Sequence, residues 1–124
     1  GLPITIFGNG KQLRDILFAS DAAAAFDAFY RSPKPGVYNV GSGETNAISL
    51  IESIQLIEEL LGKKADVRFE EGRFGDLRYF VTDYSKVRSA IDWEPKVSPR
   101  EGIGNLVHWI RSNSALFSSP AIVA

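Results

Sequence analysis

Apolar positions along this chain fall into short extended runs separated by longer helical stripes. Ile4, Thr5, Ile6 and Phe7 are β-branched or aromatic and predict a short strand. Gly8-Asn9-Gly10 predicts a turn, because Asn-Gly accepts positive φ, and residues 12–18 can form the returning strand. Residues 22–30 are good helix formers that follow Asp21, an N-cap residue type. Ser32-Pro33-Lys34-Pro35-Gly36 ends that helix. Val37-Tyr38-Asn39-Val40 predicts a short strand buried in a sheet, leading into Gly41-Ser42-Gly43.

Ser49 with Glu52 has the pattern of a capping box, opening a helix over residues 50–61 that stops at Gly62. Its apolar positions (Leu50, Ile51, Ile54, Leu56, Ile57, Leu60 and Leu61) spread over an arc of roughly 220°, wider than one core face needs. More than one neighbour is therefore expected to cover it. Residues 66–69 predict a strand, 70–78 a polar loop with two glycines, and 79–82 a short extended piece. Asp83 predicts the cap of a two-turn helix to Ile91, and Trp93-Glu94-Pro95 a rigid link. Ser98-Pro99-Arg100-Glu101 combines an N-cap, a first-turn proline and an acid, a strong helix start. The helix it opens carries Ile103, Leu106, Val107 and Ile110 on one stripe. Nothing periodic follows Asn113, so one domain is expected over residues 1–113, with a loose tail over 114–124. The fold class is α/β or α+β, with short strands and four helices.

Composition acts mainly by exclusion. A chain of 124 residues makes one domain, and 44% hydrophobic with 23% charged residues places it among globular proteins. The net charge is −1, so no global field gathers nucleic acid or an anionic membrane surface, and neither is expected as a partner. No apolar run approaches the length of a membrane span and no leader pattern is visible, which gives a cytoplasmic expectation. Cysteine is absent, which excludes disulfides and thiolate chemistry. One histidine cannot build a multi-histidine metal site, and no metal is expected. Methionine is absent too, and the chain enters a strand almost at once. We read it as a piece of a longer protein, the alternative being a mature chain whose initiator was removed before Gly1.

Two motifs imitate catalytic ones. Gly41-Ser42-Gly43-Glu44-Thr45-Asn46 follows an extended run and precedes a helix, like the start of a dinucleotide fingerprint. Its third glycine is Asn46, and the helix cap comes only at Ser49, so helix N–H groups cannot meet a pyrophosphate there. Tyr30-Arg31-Ser32-Pro33-Lys34 matches the Tyr-x-x-x-Lys pair of proton transfer, but Pro33 breaks the turn that would align it. No catalytic residue and no cofactor site are therefore expected in this chain. Two polar loops are more informative. Lys11-Gln12-Leu13-Arg14-Asp15 and Arg73-Phe74-Gly75-Asp76-Leu77-Arg78 offer arginines from separate loops plus an acid for hydroxyl groups. Planar guanidinium forks suit phosphate oxygens, although an exposed loop arginine is more often simply solvated. His108 on the last helix reads as a surface or structural residue, and Trp93 as a packing anchor.

With these loops the sequence resembles the C-terminal region of extended short-chain dehydrogenase/reductases acting on nucleotide sugars. Residues 6–15 resemble that family's glycine turn and Arg-Asp strand, and Tyr38-Asn39-Val40-Gly41-Ser42-Gly43 its late sheet strand. Arg73-Phe74-Gly75-Asp76 is similar to its nucleotide-binding loop, and Asp83-Tyr84-Ser85-Lys86 with Trp93-Glu94-Pro95 to its closing signature. The matches run in family order from residue 4 to about residue 111. Asp92 departs from the glycine that usually precedes this tryptophan, but Asp also accepts the left-handed conformation of a helix end. Residues 8–12 and 90–98 look most like CDP-paratose/CDP-tyvelose 2-epimerases.

The resemblance implies a fold: the substrate-binding, C-terminal portion of a Rossmann-type enzyme. It implies an NAD-dependent nucleotide-sugar epimerase or dehydratase as the parent, with NAD and the catalytic Tyr and Lys upstream of this region. By that resemblance Arg14 and Arg73 hold the diphosphate, and Asp76 meets the ribose side. Phe7 and Gln12 line the nucleotide pocket, and Arg78 is a supporting partner. A nucleotide sugar is then the expected partner, and the chain alone is expected to be inactive. Self-association through exposed apolar surface is expected from the wide stripe on residues 50–61 and from an unpaired strand at 37–40. Other dehydratases or 4-epimerases of the family, and a free-standing binding or assembly module, remain open at this point.

Overall fold

The computed structural model describes residues 2–117. Five strands and four α-helices are laid out as β1 (Ile4–Phe7), β2 (Leu13–Asp15), α1 (Ala19–Arg31), β3 (Ala47–Ser49), α2 (Leu50–Leu61), β4 (Val67–Glu70), β5 (Tyr79–Phe80), α3 (Ser85–Ile91) and α4 (Pro99–Ser112). The strands form two small sheets. β1 pairs with β4 in parallel, Ile4 opposite Val67 and Phe7 opposite Glu70. β2 lies between β3, antiparallel, and β5, parallel.

This pairing corrects the expected hairpin. Only residues 13–15 of the 12–18 run are strand, and they do not return on β1. The physical reason lies in the turn. Gly8 and Gly10 both have positive φ, 82° and 69°, and send the chain away from β1. Gly10 is also pressed under α2: its carbonyl accepts the Ile51 N–H at 3.0 Å, and a Cβ there would stand 2.5 Å from Ile51 Cγ1.

The helices follow their local signals. Ser49 caps α2 through the Glu52 N–H, Glu52 reaches back to the Ser49 N–H, and Gly62 closes the helix in the left-handed region. Ser98 caps α4, with Pro99 in its first turn. α3 begins at Ser85 rather than directly after Asp83, whose carboxylate accepts the Ser85 N–H at 2.9 Å. Asp92 ends α3 at φ 52°, the left-handed conformation expected of it.

Asp21 is a correction. α1 starts at Ala19 with Phe18 in the N-cap position, so Asp21 is a first-turn residue and not the cap. Its buried carboxylate accepts the N–H groups of Lys96 and Val97 at 3.1 and 2.9 Å, and its carbonyl accepts Trp93 Nε1–H at 3.0 Å. The core forms around this staple from Ala25, Val87, Ile91 and Trp93, with Tyr84 edge-on to the Trp93 ring. Trp93 is the packing anchor expected of it, and His108 is exposed on α4.

Residues 37–40 form no strand, contrary to expectation. Among the described residues no strand pairs with them. The Val37 carbonyl instead accepts the Lys86 ammonium at 2.8 Å, and Tyr38 packs edge-on against Phe29. The strand that sequence patterning overlooked is β3, three residues running straight into α2. α2 packs mainly on α4 and β3, and only Leu50 and Ile57 of its apolar residues are exposed. Larger apolar exposure lies elsewhere, at Phe26, Phe74, Phe69, Tyr79 and Phe80. Of the tail, Ser114–Phe117 forms a 3-10 turn with Phe117 edge-on to Trp109, and residues 118–124 lie outside the described residues. No described helix is long and apolar enough to cross a membrane.

Candidate functional site

The ends of β1 and β4 open into two loops that face each other. The β1–β4 ladder extends one step to Gly8, whose N–H donates to the Glu70 carbonyl at 2.9 Å. A Cβ on Gly8 would lie 3.8 Å from the Gly72 Cα, so two glycines bring the loop backbones close. In the first loop the Asn9 side chain accepts the Lys11 N–H at 3.0 Å, and Gln12 Nε2 donates to the Phe7 carbonyl at 3.4 Å. In the second, the Asp76 N–H donates to the Arg73 carbonyl across a turn with Gly75 at φ 81°. The Leu13 N–H then donates to the Arg78 carbonyl at 2.9 Å, tying the second loop to β2.

Between the loops lies a cleft of about 400 Å³. Phe7, Gly8, Asn9, Lys11 and Gln12 form one wall; Gly72, Arg73, Asp76, Leu77 and Arg78 form the other. The Arg73 guanidinium lies over the Phe7 ring, 3.7 Å from its centroid. Such stacking orients the planar cation while leaving its edge donors available. Lys11, Arg73 and Arg78 bring three cations to the lining against the single carboxylate of Asp76. Among the described residues none of these three cations is in an ion pair. On a chain of net charge −1 this is a local basic pocket with one aromatic wall, and it can hold an anion that also carries polar and planar parts.

The two catalytic look-alikes are accounted for by packing. Asp15 accepts the N–H groups of Ser42 and Gly43 at 2.9 and 3.1 Å, so those donors face a carboxylate and not a phosphate. A Cβ on Gly41 would stand 2.3 Å from Thr82 Oγ1, and one on Gly43 2.6 Å from the Tyr84 ring. The glycines are thus needed for close packing. Tyr30 lies in the last turn of α1, 85% exposed, and Lys34 lies past the helix end. Among the described residues no group of three or more His, Cys, Asp or Glu could hold a metal ion.

Residues 1–106 match the family described as GDP-mannose 4,6 dehydratase. The chain belongs to that family. It is 39% identical over 115 residues to CDP-paratose 2-epimerase of Salmonella typhi, covering 89% of this chain and 33% of that protein. It is 34% identical to UDP-glucuronate 4-epimerase of Thermodesulfobacterium geofontis, over 94% of this chain and 36% of that protein. Among solved structures, UDP-glucose 4-epimerase of Thermotoga maritima with UDP-glucose superposes with a TM-score of 0.82 at 28% identity, over 90% of this chain and 36% of that one. MoeE5 in complex with UDP-glucuronic acid and NAD gives a TM-score of 0.81 at 29% identity, over 89% and 37%. The chain thus spans about a third of the length of the relatives it matches.

As a member of this family, the chain has the fold class expected of it, the C-terminal portion of a Rossmann-type extended short-chain dehydrogenase fold, with short mixed strands and four helices. Of the six residues singled out from sequence, Phe7, Gln12, Arg73, Asp76 and Arg78 line the cleft. Arg14 does not. It stands on β2, with Nη1 donating to the Leu13 carbonyl at 2.7 Å and Nη2 3.6 Å from Asp76 Oδ1. Sequence reasoning missed Asn9, Lys11 and Leu77 as lining residues. For Lys11 a signal existed: a cation directly after a turn glycine, in the same run as Gln12 and Arg14.

Proposed function

We propose that this chain is the nucleotide-sugar-binding part of an NAD-dependent epimerase, and that the cleft between its two loops holds the nucleoside diphosphate. The observation that carries the reading is the meeting of Lys11, Arg73 and Arg78 with Phe7 and Gln12 in one cleft, drawn from loops some sixty residues apart. Diphosphate oxygens are engaged two at a time by a guanidinium, which Arg73 offers from its stack on Phe7. Asp76 supplies an acceptor for a ribose hydroxyl, and Gln12 and Phe7 supply polar and planar contacts for the rest of the nucleotide. The substrate is a CDP-sugar epimerised at its 2-position, a choice supported by the 39% identity to CDP-paratose 2-epimerase. NAD, which accepts and returns hydride in such chemistry, belongs to the remainder of a longer polypeptide, as do the catalytic acid and base. The exposed Phe69, Tyr79 and Phe80 suit burial against that remainder.

Calorimetry with CDP-glucose and UDP-glucose tests this. Arg73→Ala should weaken binding about tenfold, equivalent to about 1.4 kcal/mol. Arg73→Lys should recover only part, since an ammonium lacks the planar fork. A preference for CDP-glucose supports the 2-epimerase assignment, and a preference for UDP-glucose supports a 4-epimerase like the T. geofontis relative. Unchanged affinity in Arg73→Ala overturns the diphosphate site.

A further inference from the structure

The chain has six lysines, and their surroundings set them apart. Lys64 is paired with Glu58, and Lys86 donates to the Val37 carbonyl over the Tyr38 ring. Lys34 and Lys63 are exposed and, among the described residues, in no ion pair. Lys96 is exposed as well, in a hollow where the acids Asp21, Asp92 and Glu94 outnumber Arg88. Lys11 is exposed in the opposite setting, a cleft lined by Arg73 and Arg78 against the one acid Asp76. Glu52, on the other side of Lys11, is engaged by Ser49 in the capping box. The backbone at this point is pinned, since the Lys11 N–H donates to the Asn9 side chain and the Gly10 carbonyl accepts the Ile51 N–H. Lys11 thus brings an unpaired amine, on a fixed stem, into a site built to attract phosphate.

We infer that Lys11 is a modification site for acyl phosphates: the two arginines hold the phosphate of the donor, and its acyl group passes to the Lys11 amine. The inference rests on the diphosphate reading of the cleft. An acyl phosphate carries its docking group and its leaving group in one. A guanidinium fork engages two phosphate oxygens, and Arg73 is already oriented by its stack on Phe7. Guanidinium groups stay protonated and do not attack carbonyls, whereas a lysine that loses its proton does. The Lys11 ammonium first gives a proton to water. Its nitrogen then attacks the acyl carbon, the C–N bond forms, and the C–O bond to phosphate breaks with the electron pair leaving on phosphate. The surplus proton on nitrogen goes to the departing phosphate, and a neutral amide remains. The arginines meet the negative charge that grows on the leaving group. Acylation removes one of the three cations of the lining, so it turns down the cleft's own affinity for a diphosphate.

Acetyl phosphate on the folded chain, followed site by site with mass spectrometry, tests this. Lys11 should be acetylated about tenfold faster than Lys34, Lys63 or Lys96, as expected of a nucleophile beside a held reactant. p-Nitrophenyl acetate delivers the same acyl group without a phosphate and should show no preference for Lys11. Inorganic pyrophosphate should slow the reaction of acetyl phosphate at Lys11 and leave Lys34 unchanged. Arg73→Ala should bring Lys11 down to the Lys34 rate. Lys86, held on the Val37 carbonyl, should react at the same rate in variant and wild type, which confirms that the variant is folded. Lys11→Gln, which imitates the neutral product, should weaken pyrophosphate binding by about fivefold, and Lys11→Arg should weaken it less. Equal rates at Lys11 and Lys34 with acetyl phosphate would overturn the site. So would a preference for Lys11 with both donors, which marks an ordinary reactive lysine. A preference that survives Arg73→Ala, while the same variant loses CDP-glucose in calorimetry, would overturn the acylation and leave the diphosphate reading standing. If Arg73→Ala changes neither, the diphosphate reading itself fails, and the acylation site with it.

Discussion

Asp21 and Asp76 do opposite things with the same side chain. Asp21 is buried at the start of α1, where one carboxylate oxygen takes two backbone N–H groups from residues 96 and 97 and the backbone carbonyl takes the Trp93 indole. Asp76 sits in an exposed loop with one ion pair at 3.6 Å and open cleft in front of it. A buried carboxylate is tolerated only when its acceptors are filled, so the first arrangement is fixed by the cost of breaking it. The second is cheap to break, which suits the ligand-facing role proposed for Asp76. The contrast separates the part of the chain that builds the fold from the loop proposed to meet a ligand.

Substitutions can break the comparison at its rigid end. Trp93 is 4% exposed at the centre of the Ala25–Val87–Ile91 cluster. Trp93→Ala should lower unfolding stability by about 3–5 kcal/mol through cavity formation and loss of the indole hydrogen bond, read from urea midpoints. Asp21→Ala should cost about 2–3 kcal/mol, since it strands the Lys96 and Val97 N–H groups. A loss under 0.5 kcal/mol at Asp21 would erase the distinction drawn here.

What the sequence disclosed follows the same division by distance along the chain. Ser49 with Glu52, Ser98 with Pro99, Gly62 and Asp92 act within four residues of themselves, and each stands where local chemistry places it. Sheet pairing was not legible, because β1 finds β4 and β2 finds β5 across some sixty residues. Residues 37–40 have strand composition and no partner, so the composition does not act. Asp21 has the residue type of an N-cap, but N–H donors 75 and 76 residues away claim its carboxylate. In the cleft, Arg73 and Asp76 were legible as a motif. Lys11 was legible only as a member of the run after the turn glycine, since nothing else distinguishes a loop lysine from any solvated charge. The place of Arg14 outside the lining depends on the pairing of β2 with β5, which no local pattern encodes.

Acid offers a graded test of the capped helices, which lie between the two extremes. The Ser49 hydroxyl and then the Ser49 N–H hold the Glu52 carboxyl below the usual glutamate range, and Arg100 does the same for Glu59 across α2 and α4. A folded pKa below the unfolded one contributes stability above the unfolded value, and that contribution is lost as pH falls through the depressed folded value. Ser49→Ala should cost about 1 kcal/mol at neutral pH. Its deficit against wild type should shrink once pH drops below the ordinary glutamate range, because the wild type then loses the charged half of its capping box. Urea titrations at neutral and acid pH measure both, and a deficit that stays constant would show that the Glu52 charge does not matter to the cap.

The smallest effect decides the comparison. Asp76→Ala removes a carboxylate from a loop whose residues 71–78 are all exposed, and the pair it breaks is open to water on both sides. Surface ion pairs of this kind contribute about 0–1 kcal/mol, and substitutions away from core, cap or strain fall within about 0.5 kcal/mol. The loop keeps its own restraints without that side chain: the Asp76 N–H still donates to Arg73, and Leu13 still donates to Arg78. Unfolding stability should therefore change by less than about 0.5 kcal/mol, against about 2–3 kcal/mol for the same substitution at Asp21. Side-by-side urea curves settle it. If Asp76→Ala destabilises the chain as much as Asp21→Ala, the second loop is part of the structural frame.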